Sequence, residues 1–129
     1  MGDTSALCHC CSGKPFEYCC EPFLSGKAFP ETAEQLMRSR YSAYVTLNSA
    51  YILETTAPKF RKYYSPKSIL EWASSSTWIS LEIVSSEEKR VRFVATYLDD
   101  QQQLTRHKED SKFEKSGGRW YFLDGKTFD

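Results

Sequence analysis

The sequence lacks an excess of charge of either sign, and it lacks long apolar runs. Its 129 residues carry 17 Lys and Arg against 17 Asp and Glu, so the formal net charge is zero. A balanced chain has no bulk attraction for nucleic acid or for an anionic membrane surface, and neither is predicted as a partner. No run approaches the roughly 20 apolar residues of a membrane helix, so membrane insertion is not expected.

The chain also lacks cysteine after residue 20, because all five cysteines lie between residues 8 and 20. Residues 1–7 have neither the basic start nor the apolar stretch of a signal peptide, so we expect a cytoplasmic protein. Thiols stay reduced in that compartment, and clustered cysteines there indicate metal ligands before disulfides. The remainder of the chain offers no thiol nucleophile.

Four of the cysteines, Cys8, Cys10, Cys19 and Cys20, follow the pattern Cys-x-Cys-x8-Cys-Cys. Zinc prefers a tetrahedron of thiolates and imidazoles, and a turn between two ligand pairs can close such a site. Residues 12–15 (SGKP) supply turn-forming residues between the pairs. The pattern predicts one Zn²⁺ with four protein ligands, which leaves no open position for catalysis.

Two neighbouring residues, His9 and Cys11, are alternative ligands. Cys11 can replace Cys10, and His9 can replace a thiolate. Adjacent residues of an extended chain point in opposite directions, which favours Cys8 and Cys10 as the pair on one side. Residue types alone leave these alternatives open.

A connector over residues 26–30 (GKAFP) divides the sequence, because glycine and proline interrupt regular structure. We predict a zinc-binding module over residues 1–28 and an α+β domain over residues 29–129. Thr32 caps the first helix of the domain. The predicted apolar stripe of that helix contains Ala33, Leu36, Met37, Tyr41, Tyr44 and Leu47.

Two shorter helices are expected after this one, over residues 49–56 and from Pro66 onward. The period then changes to two, and the predicted strands are 78–84, 90–98, 104–114 and 119–124. Alternation places Ile79, Leu81 and Ile83 together on one side of the first strand. Helices followed by a meander of strands are an α+β pattern.

One charged residue, Arg40, lies on the apolar stripe of the first helix. A buried guanidinium needs a partner, because an unpaired buried charge costs several kcal/mol. We expect Arg40 to pair with a carboxylate such as Glu54, Glu71 or Asp124, or to meet an anionic ligand. The alternative is that its stem covers the core while its head reaches solvent.

The candidate pocket residues are Arg40, Tyr44, Trp72 and His107. Aromatic residues at regular spacing are more often core than pocket. His107 and Glu109 lie two apart on one strand face, where they could form an acid–base pair or simply face solvent. No phosphate-binding loop or dinucleotide motif occurs, and neither histidine has a nucleophile partner, so an enzyme is not favoured.

Residues 8–20 (CHCCSGKPFEYCC) resemble the SEC-C motif. This zinc-binding motif also closes the tail of the SecA preprotein translocase ATPase, where it binds the SecB chaperone and the ribosome. The family pattern has proline at the position of His9 and glycine at that of Cys11. The resemblance implies Zn²⁺ on the four cysteines of the pattern, and a protein partner of chaperone or ribosome type.

The similarity extends to residues 22–26 (PFLSG), 36–44 (LMRSRYSAY), 118–121 (GRWY) and 124–125 (DG). These segments look like the YchJ family of small uncharacterised bacterial proteins, although His107 sits one residue earlier than the usual histidine. The central domain of that family is similar to the nuclear-transport-factor-two-like (NTF2-like) cone, in which helices lie in the concavity of a curved antiparallel sheet. Many cones of this class dimerise through the open sheet face, so a homodimer is compatible with the fold.

The resemblance therefore implies a zinc-dependent protein-interaction module joined to a cone-shaped domain. The alternative is a small-molecule binding protein or enzyme that uses the interior of the cone. This alternative follows from the fold class alone, since one fold hosts many functions.

Overall fold

A computed structural model of the chain describes residues 6–128. The helices are Glu21–Leu24 (α1), Ala33–Val45 (α2), Ser49–Glu54 (α3) and Pro66–Ser75 (α4). The strands are Thr77–Ser86 (β1), Arg90–Leu98 (β2), Leu104–Ser116 (β3) and Arg119–Thr127 (β4). Two 3-10 turns lie at Phe16–Tyr18 and Pro58–Tyr63.

The four strands form one antiparallel sheet in the order β1-β2-β3-β4. Helix α2 packs against the sheet, and the side chains that meet there are Leu36, Met37, Tyr41, Leu81, Val91, Phe93, Ala95, Phe113, Trp120 and Phe122. Burial of these apolar surfaces is the main favourable term for the fold. The expected α+β class, with helices against an antiparallel sheet, is confirmed.

Helix α2 begins where the sequence predicts, because the Thr32 side chain accepts a hydrogen bond from the backbone N–H of Gln35 at 3.1 Å. It ends earlier than the apolar stripe suggests. Leu47 has a φ of 61° and is 47% exposed, so its assignment to the stripe was wrong. The backbone N–H of Asn48 bonds to the carbonyl of Ala43 at 2.8 Å, which is the Schellman pattern of a helix C-terminus.

Helix α3 ends at Glu54, two residues before its predicted end. The hydroxyls of Thr55 and Thr56 donate back to carbonyls of the preceding turn, a local alternative to further helix. The backbone here joins the sheet instead: the Phe122 N–H donates to the Thr55 carbonyl, and the Ala57 N–H donates to the Phe122 carbonyl, both at 2.8 Å. This contact ties α3 to β4.

Strand β1 contains a bulge that the sequence did not reveal. Trp78 pairs with Tyr97 and Ser80 with Thr96, so Ile79 has no partner of its own. Ile79 is 51% exposed whereas Leu81 is buried, so the prediction that both lie on one side of the strand was wrong. An extra residue reverses the alternation of side chains, which turns the Trp78 indole inward instead.

No helix within residues 6–128 is both long enough and apolar enough to span a membrane.

Candidate metal centre and internal cavity

A short hairpin and a helical turn bring the cysteines together. The Cys8 N–H donates to the Lys14 carbonyl at 2.8 Å, and the Phe16 N–H donates to the Ala6 carbonyl at 2.9 Å. The 3-10 turn Phe16–Tyr18 then reverses the chain, so that the following Cys19 and Cys20 approach the hairpin. Both ligand pairs of the sequence pattern thus face one point.

The four Sγ atoms of Cys8, Cys10, Cys19 and Cys20 lie within 4.8 Å of one another. A tetrahedral zinc thiolate site with Zn–S bonds of about 2.3 Å has sulfur–sulfur edges of about 3.8 Å. The Cys10 and Cys19 sulfurs are 3.6 Å apart, close to that edge and far beyond a disulfide bond. The cluster therefore has the size that a four-coordinate metal requires.

The thiols in this cluster cannot all ionise easily without a cation. Hydrogen bonds from Cys10 and Cys20 lower the pKa of Cys8. Burial then raises the pKa of Cys19 to about 11, and the sharing of hydrogen bonds with Cys10 and Cys8 raises the pKa of Cys20 as well. A divalent cation among the sulfurs would lower these raised pKa values, because metal binding stabilises the thiolates.

The two alternative ligands lie outside the cluster. Cys11 accepts a hydrogen bond on its sulfur from the backbone N–H of Leu81 in β1 at 3.3 Å. The His9 ring packs edge-on against Phe16, with 5.3 Å between centroids. Cys11 has a φ of 64°, a conformation that favours glycine, which explains why a tight turn at this position suits glycine in the family pattern.

The cluster is embedded in the domain that follows it. Cys8, Cys10 and Cys20 are buried in the same apolar cluster as Leu36 and Met37 of α2. Such shared burial means that the module and the domain contribute to one core. The predicted boundary at residue 28 separates them in sequence but leaves them in contact.

Polar groups of α2 surround the sulfurs. The Ser42 hydroxyl lies 3.6 Å from the Cys8 sulfur, and the Arg38 guanidinium donates to the Cys10 carbonyl at 2.9 Å. Burial disfavours the charge on Arg38, but bonds to Glu34 and to Cys10 outweigh it and raise the pKa of Arg38. The positive charge of Arg38 therefore lies beside a site that four thiolates would make negative.

A second feature is a cavity of about 200 Å³ between α2, α4 and the sheet. It contains all four of the predicted pocket residues, Arg40, Tyr44, Trp72 and His107. The other lining side chains are Met37, Tyr41, Tyr64, Trp78, Phe93, Ala95, Glu109, Ser111, Phe113 and Phe122. Trp72 is 40% exposed, which marks the side where the cavity meets solvent.

Arg40 is 6% exposed, and it forms no ion pair within residues 6–128. The expected pairing with Glu54, Glu71 or Asp124 was therefore wrong, and Glu54 bonds to Arg119 instead, at 3.1 Å. Instead, Nη1 of Arg40 donates to the Ile52 carbonyl at 3.0 Å, and to the Thr55 and Thr56 hydroxyls at 2.8 and 3.2 Å. The charge is thus held by neutral acceptors at the end of α3.

The polar wall of the cavity is formed by β3. His107 Nε2 lies 2.7 Å from Glu109 Oε1, and the Ser111 hydroxyl donates to the other carboxylate oxygen. Burial opposes ionisation of Glu109, but the bonds from His107 and Ser111 outweigh it and lower the pKa of Glu109. Since a carboxylate only accepts hydrogen bonds, Nε2 carries the proton of this contact.

Sequence reasoning missed the acceptors of Arg40 and the role of Ser111. Thr55 and Thr56 follow the short helix α3, where hydroxyl residues are ordinary, so nothing in the sequence marks them as partners of a distant arginine. Ser111 carries a weak signal: it lies two and four residues after Glu109 and His107, on the same face of a strand.

The chain is similar to proteins of a known family. The family model described as "YchJ, middle NTF2-like domain" matches residues 32–125, which include α2 to α4 and nearly all of the sheet. The chain belongs to the YchJ family. The match confirms the family that the LMRSRYSAY segment suggested.

Two UPF0225 proteins are similar to this chain over nearly its whole length. A UPF0225 protein of Haemophilus influenzae is 44% identical over 122 residues, covering 91% of this chain and 75% of the relative. One from Geobacter sulfurreducens is 44% identical over 126 residues, covering 92% and 78%.

Two SEC-C motif containing proteins of known structure are similar to this chain. The solution structure from Rhodopseudomonas palustris has a TM-score of 0.86 at 36% identity and covers 95% of this chain and 98% of its own. The crystal structure from Psychrobacter arcticus has a TM-score of 0.73 at 28% identity and covers 92% and 75%. Both similarities extend over more than nine tenths of this chain.

Proposed function

We propose that the protein is a zinc-stabilised binding protein, in which Cys8, Cys10, Cys19 and Cys20 hold one structural Zn²⁺. The observation that carries this proposal is the convergence of the four sulfurs within 4.8 Å, with three of the cysteines buried against α2 and the sheet. Sets of four thiolates select zinc or iron–sulfur chemistry, and one tetrahedral centre of this size suits a single zinc ion. The metal supplies structure, because four protein ligands leave no position for a substrate.

Metal analysis of the purified protein tests the ligand set. We expect one zinc and no iron per chain in the unmodified protein. Cys19→Ser should lower zinc to below about a tenth of an equivalent after dialysis, because serine is a poor zinc ligand. Cys11→Ser is the matched control and should keep one equivalent, because the Cys11 sulfur bonds to the Leu81 N–H. Loss of zinc from Cys11→Ser, or its retention in Cys19→Ser, would contradict the assignment.

We further propose that the module docks a protein partner, in line with the SEC-C resemblance. The module and the start of α2 enclose a groove of about 420 Å³, lined by Ser12, Lys14, Tyr18, Cys19, Cys20, Phe23, Thr32, Glu34, Gln35 and Arg38. Two cysteines of the cluster line this groove, so its shape depends on the metal site. Tyr18, at the side of this groove, is 75% exposed, and tyrosines are common energetic anchors of interfaces.

Binding of purified SecB chaperone and purified bacterial ribosomes tests this docking proposal. Tyr18→Ala should weaken the binding of one of them at least tenfold, which is the loss of an interface anchor. Tyr63→Ala removes a tyrosine of similar exposure, 69%, outside the groove, and should leave binding unchanged. Equal loss in both variants, or binding to neither partner, would count against a chaperone or ribosome role.

A second candidate function is small-molecule binding within the cone. The specific observation is that the cone is not filled by side chains: a cavity remains, with Arg40, His107 and Glu109 in its wall. Enclosed cavities with a few convergent polar groups are the usual form of small-molecule sites.

A further inference from the structure

The cavity contains an arginine with one unused edge. Nη1 of Arg40 makes all three of its hydrogen bonds, whereas Nε and Nη2 donate to no group within residues 6–128. These two nitrogens are not fully enclosed by protein atoms, although the residue as a whole is 6% exposed. Arg40 is also one of the residues that line the cavity.

The free edge has the geometry of a carboxylate receptor. Nε–H and the neighbouring Nη2–H of a guanidinium are parallel donors that match the two oxygens of one carboxylate. The Phe122 ring lies under the guanidinium, 4.5 Å from Cζ, and fixes its plane. Three bonds and a stacked ring therefore hold the guanidinium in place before a ligand arrives.

The acidic residue of the cavity does not occupy this edge. Glu109 bonds to His107 with one oxygen and to Ser111 with the other. Its charge acts on Arg40 only through space, while burial lowers the pKa of Arg40 because the guanidinium has no contacting anion. A ligand carboxylate would supply that anion.

The remaining wall favours a planar ring. Tyr44 and Trp72 meet edge-on with 5.2 Å between centroids, and Trp78 lies 5.2 Å from Trp72 and also from Tyr97. A cavity of about 150 Å³ lined by apolar side chains is known to bind benzene. The volume of about 200 Å³ here has room for a six-membered ring and a carboxylate.

We propose that the cone binds a small aromatic carboxylate, whose two oxygens accept from Nε and Nη2 of Arg40 and whose ring packs against the aromatic wall of Tyr44, Trp72 and Trp78. This proposal rests on the second candidate function, small-molecule binding in the cone, and names its ligand class. It is independent of the docking of a protein partner on the module.

Titration with three probes tests the proposal: benzoate, the neutral benzyl alcohol, and acetate as a carboxylate without a ring. Binding is followed by NMR shifts of the Trp72 indole and the His107 ring in the zinc-loaded protein. We expect benzoate to bind at least tenfold more tightly than either other probe, because only benzoate meets both the guanidinium edge and the aromatic wall.

Two variants locate the site. Arg40→Lys keeps the charge but removes the paired donors, and should weaken benzoate at least tenfold while leaving benzyl alcohol nearly unchanged. Ala95→Leu places extra carbon atoms in the cavity and should abolish binding of both ring probes while the protein stays folded. Arg106→Lys changes an exposed arginine of the same strand as His107 and should alter neither affinity.

The cavity site and the carboxylate preference fail on different results. Benzoate and benzyl alcohol binding equally, with both lost in Ala95→Leu, would overturn the carboxylate assignment and leave a cavity site. No binding of any probe, or binding that Ala95→Leu does not change, would overturn the cavity site itself. A benzoate preference that Arg40→Lys leaves intact would also overturn the role of Arg40.

Discussion

Replacement of Cys10 by serine will remove zinc and most of the stability of the whole protein. Cys10 is fully buried, and its thiol is one of four that converge on one point. Structural zinc contributes about 10–16 kcal/mol of apparent binding free energy in small zinc-finger peptides, whereas whole domains are stable by only about 5–15 kcal/mol. We therefore expect the melting temperature to fall by about 15 °C or more, measured by calorimetry.

The effect should be specific to the metal cluster. Cys11→Ser, in the same turn, is expected to change the melting temperature by less than about 3 °C, because that sulfur makes only weak bonds at the surface. Treatment of the unmodified protein with a strong chelator should reproduce the Cys10→Ser result. A Cys10→Ser protein that melts within a few degrees of the unmodified protein would show that zinc is dispensable for the fold.

Replacement of Arg40 by methionine will destabilise the protein by about 2 kcal/mol. The side chain would lose three hydrogen bonds from Nη1 and its stacking on Phe122, which together join α2 to α3 and β4. Relief of the buried charge offsets part of this loss, because a guanidinium without a contacting anion is expensive to bury. The hydrogen bonds outweigh it, since hydrogen bonds of charged groups contribute about 1.5–3 kcal/mol each.

Denaturant unfolding of Arg40→Met measures this free energy directly. Arg106→Met is the matched control on the exposed face of β3 and should lie within about 0.5 kcal/mol of the unmodified protein. An Arg40→Met variant as stable as the unmodified protein would mean that desolvation cancels the hydrogen bonds. Arg40 would then contribute nothing net to folding.

Much of the fold follows from local sequence rules. Strand β2 has its predicted bounds, and α4 begins at Pro66 with Ser65 as its cap, because capping and alternation depend on neighbouring residues alone. The bulge at Ile79 does not follow from local sequence, since it depends on the pairing of Trp78 with Tyr97, 19 residues further along the chain. The left-handed conformation of Leu47 is likewise imposed by the end of α2 rather than by its residue type.

The metal cluster and the cavity also differ in how far local sequence predicts them. The cysteine pattern is local, so the spacing of Cys8 and Cys10 against Cys19 and Cys20 predicts the cluster without the fold. The partners of Arg40 are not local. Helical periodicity places Arg40 on the apolar stripe of α2. Whether its guanidinium then bonds to Thr55 and Thr56 or to Glu54 depends on how α3 meets β4, which only the tertiary structure shows.

We expect zinc to join the module and the cone into one cooperative unit. Hydrogen exchange of the chelated protein, read by NMR or mass spectrometry, tests it most directly. We predict that removal of zinc exposes amides of α2 and β1, including those of Leu36 and Leu81, together with the amides of residues 6–25. Loss of protection confined to residues 6–25, with α2 and the sheet unchanged, would contradict the claim and make the module an independent attachment.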